Sequence, residues 1–188
     1  MRIDQWEERY RSGERKETDL LAPPTPLLIE TAEKLEPGSA LDVACGTGRN
    51  AIWLAQHGWH VTAVDGARPA IEILNQRAEE RGLPIVTKVV DLEGGDFRIE
   101  PASWDLISIC FYLQRSLIPA ARAGVRPGGI AIVMVHTVEN GEEVTATRAA
   151  PGELRSFFKD WEILHYFEGR GKDSAHKRAS AEIVARRR

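Results

Sequence analysis

Residues 40–50, Ala-Leu-Asp-Val-Ala-Cys-Gly-Thr-Gly-Arg-Asn, run a short apolar segment directly into a pair of glycines. No other feature constrains the fold as strongly. A buried strand that turns sharply into a helix needs residues tolerant of positive φ at the turn, and glycine tolerates it best. The surrounding chain repeats the strand-then-helix alternation. Strands are predicted at 40–44, 60–65, 85–90, 104–110 and 130–135. Helices are predicted at 27–35, at 49–57, at 67–81 and at 117–123, the last ending in Arg126-Pro127-Gly128-Gly129. Strands that read as near-continuous apolar runs, separated by helices, belong to a parallel sheet covered on both faces. The rhythm breaks near the end. A short helix at 153–159 precedes two strands, 161–167 and 179–186, with no helix between them, so that pair is expected to be antiparallel.

Composition narrows the class. A chain of 188 residues with 43% hydrophobic content suits one globular domain. With 25 Lys+Arg against 28 Asp+Glu the net charge is −3, which gives no reason to expect nucleic acid or an acidic membrane as partner. The charge is unevenly placed. From Arg170 onward seven basic residues face two acids, so that segment carries +5 and the rest −8. Cys45 and Cys110 are too few for a disulfide framework or a thiolate zinc site, and no metal is expected. Two apolar-flanked thiols, a charged start without a signal core and no apolar run of roughly 20 residues lead to the expectation of a cytoplasmic protein.

In open parallel sheets ligands bind beyond the carboxyl ends of the strands. Here those ends carry Asp42 to Asn50, then Asp65-Gly66, Asp91-Leu92 and Cys110-Phe111-Tyr112. Gly46-Thr47-Gly48-Arg49-Asn50-Ala51, followed by Asp65, fits a loose dinucleotide pattern, so an NAD-dependent oxidoreductase with a Rossmann dinucleotide site is one reading. Asp42 argues against it, because a pyrophosphate at the loop gains nothing from an adjacent carboxylate. An amino-acid moiety would gain: Asp42 attracts its ammonium, backbone N–H groups receive its carboxylate, Asp65 takes two ribose hydroxyls and Asp91 an adenine amine. Three acids in this order outline S-adenosylmethionine.

The stretch 40–50 resembles the first motif of class I S-adenosylmethionine-dependent methyltransferases. Val64-Asp65, Val89-Val90-Asp91-Leu92 and Arg126-Pro127-Gly128-Gly129 resemble later motifs of that superfamily in order and spacing. The resemblance implies an α/β fold: a Rossmann-like seven-stranded mostly parallel sheet with helices on both faces and a C-terminal antiparallel hairpin. A narrower resemblance is to the small tellurite-resistance methyltransferases, and more distantly to thiopurine methyltransferases. It rests on Gly48-Arg49-Asn50, 89–92, Gly152-Glu153-Leu154-Arg155, Trp161-Glu162, Glu182 to Arg186, and Arg9-Tyr10. One departure is plain. The bacterial tellurite enzymes carry a His-Arg pair after the penultimate strand, near the substrate, whereas residues 169–178 here are basic without an adjacent His-Arg. Tellurite as acceptor therefore does not follow from the resemblance.

Methyl transfer from a sulfonium is an in-line displacement with a neutral leaving group, so alignment and desolvation carry most of it. A general base is needed only for a protonated nucleophile, and none is identifiable in the sequence. The residues expected at the cofactor are Tyr10, Asp42, Ala44, Cys45, Gly46, Gly48, Asn50, Asp65, Gly66, Asp91, Leu92, Cys110 and Phe111. Those expected toward the acceptor are Tyr112, Arg115, His136, Arg170 and His176. Residues 1–26 form an arm ahead of the domain at 27–188. Trp6 and Tyr10, four apart on one helical face, suggest that the arm docks as a lid. The expected activity is methyl transfer to a small molecule or a metalloid oxyanion of the tellurite or selenite kind. The expected assembly is a monomer or weak homodimer without nucleic-acid or membrane partners. A length nearly filled by the sheet favours a compact acceptor.

Overall fold

The computed structural model describes residues 3–13, 21–95, 97–139 and 141–188. Seven strands form one sheet in the order β3-β2-β1-β4-β5-β7-β6. The chain falls into two compact units that meet in sequence at Phe97 and Arg98.

In the first unit β1 (Ser39–Val43), β2 (His60–Asp65) and β3 (Val86–Val89) are parallel, with Ser39 opposite His60 and Thr62 opposite Val86. Ala40, Leu41 and Val43 are buried although they alternate faces, which accounts for the unbroken apolar run in β1. β3 lies at the sheet's edge and leaves Val86 and Val89 exposed. The helices are α1 (Ile3–Arg11), α2 (Pro26–Ala32), α3 (Arg49–Gln56) and α4 (Arg68–Glu79). Pro26 opens α2 and Pro69 lies in the first turn of α4, where a missing N–H costs nothing. α3 starts at Gly48, whose φ is 82°. A Cβ there would also stand 2.1 Å from Leu74 Cδ1 of α4, so the position admits glycine on two separate grounds.

The second unit holds β4 (Trp104–Cys110), α5 (Leu117–Gly124), β5 (Val125–His136), α6 (Glu153–Ser156), β6 (Glu162–Gly169) and β7 (Ser180–Arg186). β4 and β5 are parallel, while β7 runs antiparallel between β5 and β6, as the missing crossover helix predicts. β5 begins at Val125, earlier than the predicted start at Ile130. Arg126-Pro127-Gly128-Gly129 reads as a turn, yet the end of the chain pairs with it. The Gly128 N–H donates to the Arg187 carbonyl (2.8 Å), and the Arg187 N–H donates to the Gly129 carbonyl (2.9 Å). Part of the basic tail is therefore structural, since Arg187 also bonds the carbonyls of Ala123 and Val125 and Arg186 pairs with Glu162. Fully buried Phe158 meets Trp161 edge to face at 5.5 Å, and the Arg122 guanidinium covers both rings while bonding Asp160.

Arg115 is paired with Glu153, with Nε–Oε1 at 2.5 Å and Nη2–Oε2 at 3.0 Å, and it also donates to the carbonyls of Thr145, Ala146 and Arg148. A rigid five-donor fork is the group able to fasten a loop to a helix this way. The bond from Arg115 holds the Glu153 carboxyl below its usual range. The Arg115→Ala variant should lose about 1–2 kcal/mol in urea unfolding, as for a charge-assisted pair only partly shielded from water. Because the Glu153 value is lowered on folding, the difference between variant and wild type should be full above the ordinary value of 4.5 and shrink as pH falls below it.

Candidate functional site

The glycine loop of the first unit is built around Asp65, the last residue of β2. Asp65 Oδ2 accepts the Gly46 N–H and Oδ1 accepts the Ala67 N–H, each at 2.8 Å. One carboxylate thus ties the loop after β1 to the start of α4. The loop is further set by the Cys45 N–H on the Val64 carbonyl (3.1 Å) and by positive φ at Ala44, Gly46 and Gly48. Arg77 of α4 donates to the Thr47 carbonyl at 2.7 Å, and Thr47 is buried. Asp42, on β1, is 1% exposed.

Cys45 lies in this loop beside Asp42 and Asp65. Burial pushes its thiol well above the usual range, and the Asp65 and Asp42 carboxylates push it further. A thiol held protonated is a packing group, here directed at the Gly46 carbonyl (3.6 Å).

Asn50 is buried and its Oδ1 accepts the Thr25 N–H at 2.9 Å, while Arg49 donates to the Pro23 carbonyl at 3.0 Å. The first turn of α3 therefore clamps the strap ahead of α2. Asp91 is exposed, and its Oδ1 accepts the N–H groups of Glu93 and Gly94, both at 2.9 Å. That is a local turn, with Leu92 buried beside it. At Gly66 a Cβ would come within 3.2 Å of Ile3, so the beginning of α1 rests on the Asp65–Gly66 corner. Tyr10 is buried against Ala67 and Ala70, with the Trp6 ring 6.4 Å away. The spacing of the two aromatics thus reflects a docked face. Arg11 stays on the outside, paired with Glu7.

In the second unit the ends of β4 and β5 gather three rings. Phe111 follows Cys110 with φ of 60°, and its N–H donates to the Met134 carbonyl at 2.7 Å. Its ring stacks on His176, with centroids 3.4 Å apart and planes 10° apart, and stands 5.2 Å from His136. His176 Nδ1 lies 3.3 Å from His136 Nε2. The hairpin sets this up: His136 pairs with Ser180 at the start of β7, and the preceding turn, held by the His176 and Ala175 N–H groups on buried Asp173, returns His176 over the strand end. Sequence reasoning named both histidines separately; their coupling depends on a hairpin register that it did not supply.

The other acceptor candidates are placed differently. Tyr112 donates its hydroxyl to Gln114 Oε1 at 2.8 Å. Arg170 is exposed and lies 3.4 Å from Glu139. Arg178 pairs with Glu139 and Glu142, and it holds the Glu142 carboxyl below its usual range. These acids, passed over in the sequence, partly neutralise the basic loop. Among the described residues no cluster of His, Cys, Asp and Glu is arranged to hold a metal, and no helix is long and apolar enough to cross a membrane.

Residues 19–183 match the model of the family described as tellurite resistance protein TehB. The probable S-adenosyl-L-methionine-dependent methyltransferase TehB of Haemophilus influenzae is 26% identical over 153 residues, which is 77% of this chain and 53% of that protein. The chain thus spans about half the length of that relative. The crystal structure of Haemophilus influenzae TehB superposes with a TM-score of 0.74 at 26% identity, over 87% of this chain and 62% of that one. The 1,6-didemethyltoxoflavin-N1-methyltransferase of Burkholderia thailandensis, crystallised with 1,6-didemethyltoxoflavin and S-adenosylhomocysteine, gives 0.74 at 18% identity over 98% and 86% of the two chains, a likeness of fold. With the family's pattern running through both the glycine loop and the C-terminal hairpin, the chain belongs to the TehB family of tellurite resistance proteins.

Proposed function

We propose that this chain is an S-adenosylmethionine-dependent methyltransferase for a small acceptor, with a metalloid oxyanion or a thiol as the chemical class. The observation that carries the reading is the carboxylate of Asp65, held by two backbone N–H groups at the glycine loop. An acid in that place suits a ribose diol and repels a phosphate. The acid Asp42, buried on β1 just ahead of that loop, fits an ammonium.

Bound S-adenosylmethionine supplies an electrophilic methyl group on a sulfonium. Asp65 would hold the ribose hydroxyls, Asp42 the ammonium and Asp91 the adenine amine, with Ala44 to Gly48, Gly66 and Leu92 shaping the surface. Of the arm at 1–26 ahead of the domain at 27–188, residues 1–2 and 14–20 lie outside the described residues, and α1 would serve as a lid whose docking excludes water. The acceptor's chemistry falls to His136 and His176. Two hydrogen-bonded imidazoles offer a donor to an oxyanion or an acceptor for the proton of a thiol. Support for giving them this role comes from the other cations, since Arg115 is committed to Glu153, and Arg170 and Arg178 face Glu139 and Glu142.

Calorimetry with S-adenosylhomocysteine and NAD tests the first reading. Binding of S-adenosylhomocysteine is expected, and its loss in Asp65→Ala; a protein that binds only NAD refutes the proposal. For the lid, replacing Trp6 and Tyr10 together with Ala should weaken S-adenosylhomocysteine several-fold, and unchanged affinity would reduce α1 to packing. Scored by S-adenosylhomocysteine release on selenite, tellurite and small thiols, His176→Ala should lower kcat/KM at least about tenfold with cofactor affinity retained. Equal turnover would remove the histidine pair from the reaction.

A further inference from the structure

Glu182 places a carboxylate in the middle of β7, with Met134 of β5 opposite it on one side and Phe167 of β6 on the other. It is 6% exposed, and Ala181, Ile183, Val184 and Ala185 beside it in sequence are buried apolar residues. β-Branched residues ordinarily fill such a place, because an acid there must be taken out of water. Burial accordingly pushes the Glu182 carboxyl above its usual range, and Asp173 pushes it further, against the Ser180 hydroxyl, His165 and Lys172. The needs of the strand alone do not explain the acid.

Its contacts do. Oε1 accepts the buried Ser180 hydroxyl at 3.1 Å, and Oε2 stands 3.9 Å from His165 Nε2 of β6. The same Oε1 occupies the space where a side chain on Gly171 would begin: a Cβ there would run into it and stand 3.4 Å from Ser180 Oγ. The φ of Gly171 lies outside the left-handed region, so room for that oxygen, and not backbone conformation, is what requires glycine. Two residues further on, Asp173 starts the turn that carries His176. Its carbonyl accepts the His176 N–H and its Oδ1 the Ala175 N–H, both at 3.0 Å. Ser180, which bonds the carboxylate, is opposite His136 in the strand register. We propose that Glu182 is a positioning residue: one carboxylate oxygen, bonded to Ser180 and seated on Gly171, sets the turn at 171–176 and so holds His176 beside His136 and on Phe111. Its part in the reaction rests on the methyltransferase reading, whereas the placement of His176 does not.

Imidazole NMR of the ligand-free protein reads the placement directly, with His176→Ala supplying the assignment. In the wild type the His176 ring protons should lie upfield, because Phe111 stacks on that ring at 3.4 Å. Glu182→Thr suits the strand but is too short to reach Gly171, and it should lose most of that displacement. Glu182→Gln keeps both the length and an oxygen acceptor, and it should retain it. Gly171→Ala should lose it as well, and adding Gly171→Ala to Glu182→Thr should change nothing more. With an acceptor that the wild type methylates, Glu182→Thr should lower kcat/KM at least about tenfold while S-adenosylhomocysteine affinity stays within about twofold, and Glu182→Gln should recover the rate. Ring signals that stay in place in Glu182→Thr or in Gly171→Ala overturn the proposal. So does a glutamine variant that loses as much as the threonine one, or unchanged turnover in a variant whose ring signals have moved. If Glu182→Thr does not fold, Gly171→Ala decides the matter alone. Wild-type protein that binds no S-adenosylhomocysteine sinks the methyltransferase reading and leaves the ring signals to decide the placement. Wild-type turnover with ring signals indifferent to Glu182 sinks this proposal alone.

Discussion

The two hydrogen bonds accepted by Asp65 organise the rest of the first unit. They fix the Gly46 amide against the end of β2 and the Ala67 amide at the beginning of α4. Once α4 is set, Leu74 lies against Gly48, Arg77 reaches the Thr47 carbonyl, and Ala67 with Ala70 offers the surface that receives Tyr10. A bond between one buried-edge carboxylate and two amides is charge-assisted, and therefore stiff enough to hold a loop with three residues at positive φ. Under the methyltransferase proposal the same carboxylate would also take a ribose, so a change there would disturb structural support and ligand recognition together.

Much of the fold was legible because its signals are local. Strand β2 and strand β4 fall where the apolar runs place them, and the helices stop near Gly58 and Gly82, both at positive φ. The antiparallel end followed from the absence of a helix between two strands. The start of β5 was not legible, because Arg126-Pro127-Gly128-Gly129 has turn chemistry and is drawn into the strand by Val125 opposite Trp104 and by pairing with Arg187, about sixty residues on. Tertiary partners overrode local preference there.

The candidate site divides the same way. Gly46, Gly48, Asp42 and Asp65 were singled out by their position at strand ends, where open parallel sheets concentrate binding groups. The pairings of Arg115, Asn50 and Thr25 were not legible, because each depends on a partner distant in sequence: Glu153 for the first, and a mutual bond for the other two. Thr25-Pro26 did signal a helix start, yet that signature says nothing of the bond to Asn50. The histidine pair shows the limit from the other side. Both residues were singled out, but a contact at 3.3 Å is a property of the hairpin's register and not of either residue's neighbours.

Cys45 carries a further consequence. It lies in the loop that Asp65 organises, next to the glycines, and two carboxylates together with burial keep its sulfur protonated. Sulfur attacks electrophiles as the thiolate. The carboxylates that set the glycine loop thus also bear on the sulfur beside it, holding it toward the form that reacts more slowly with alkylating or oxidising compounds.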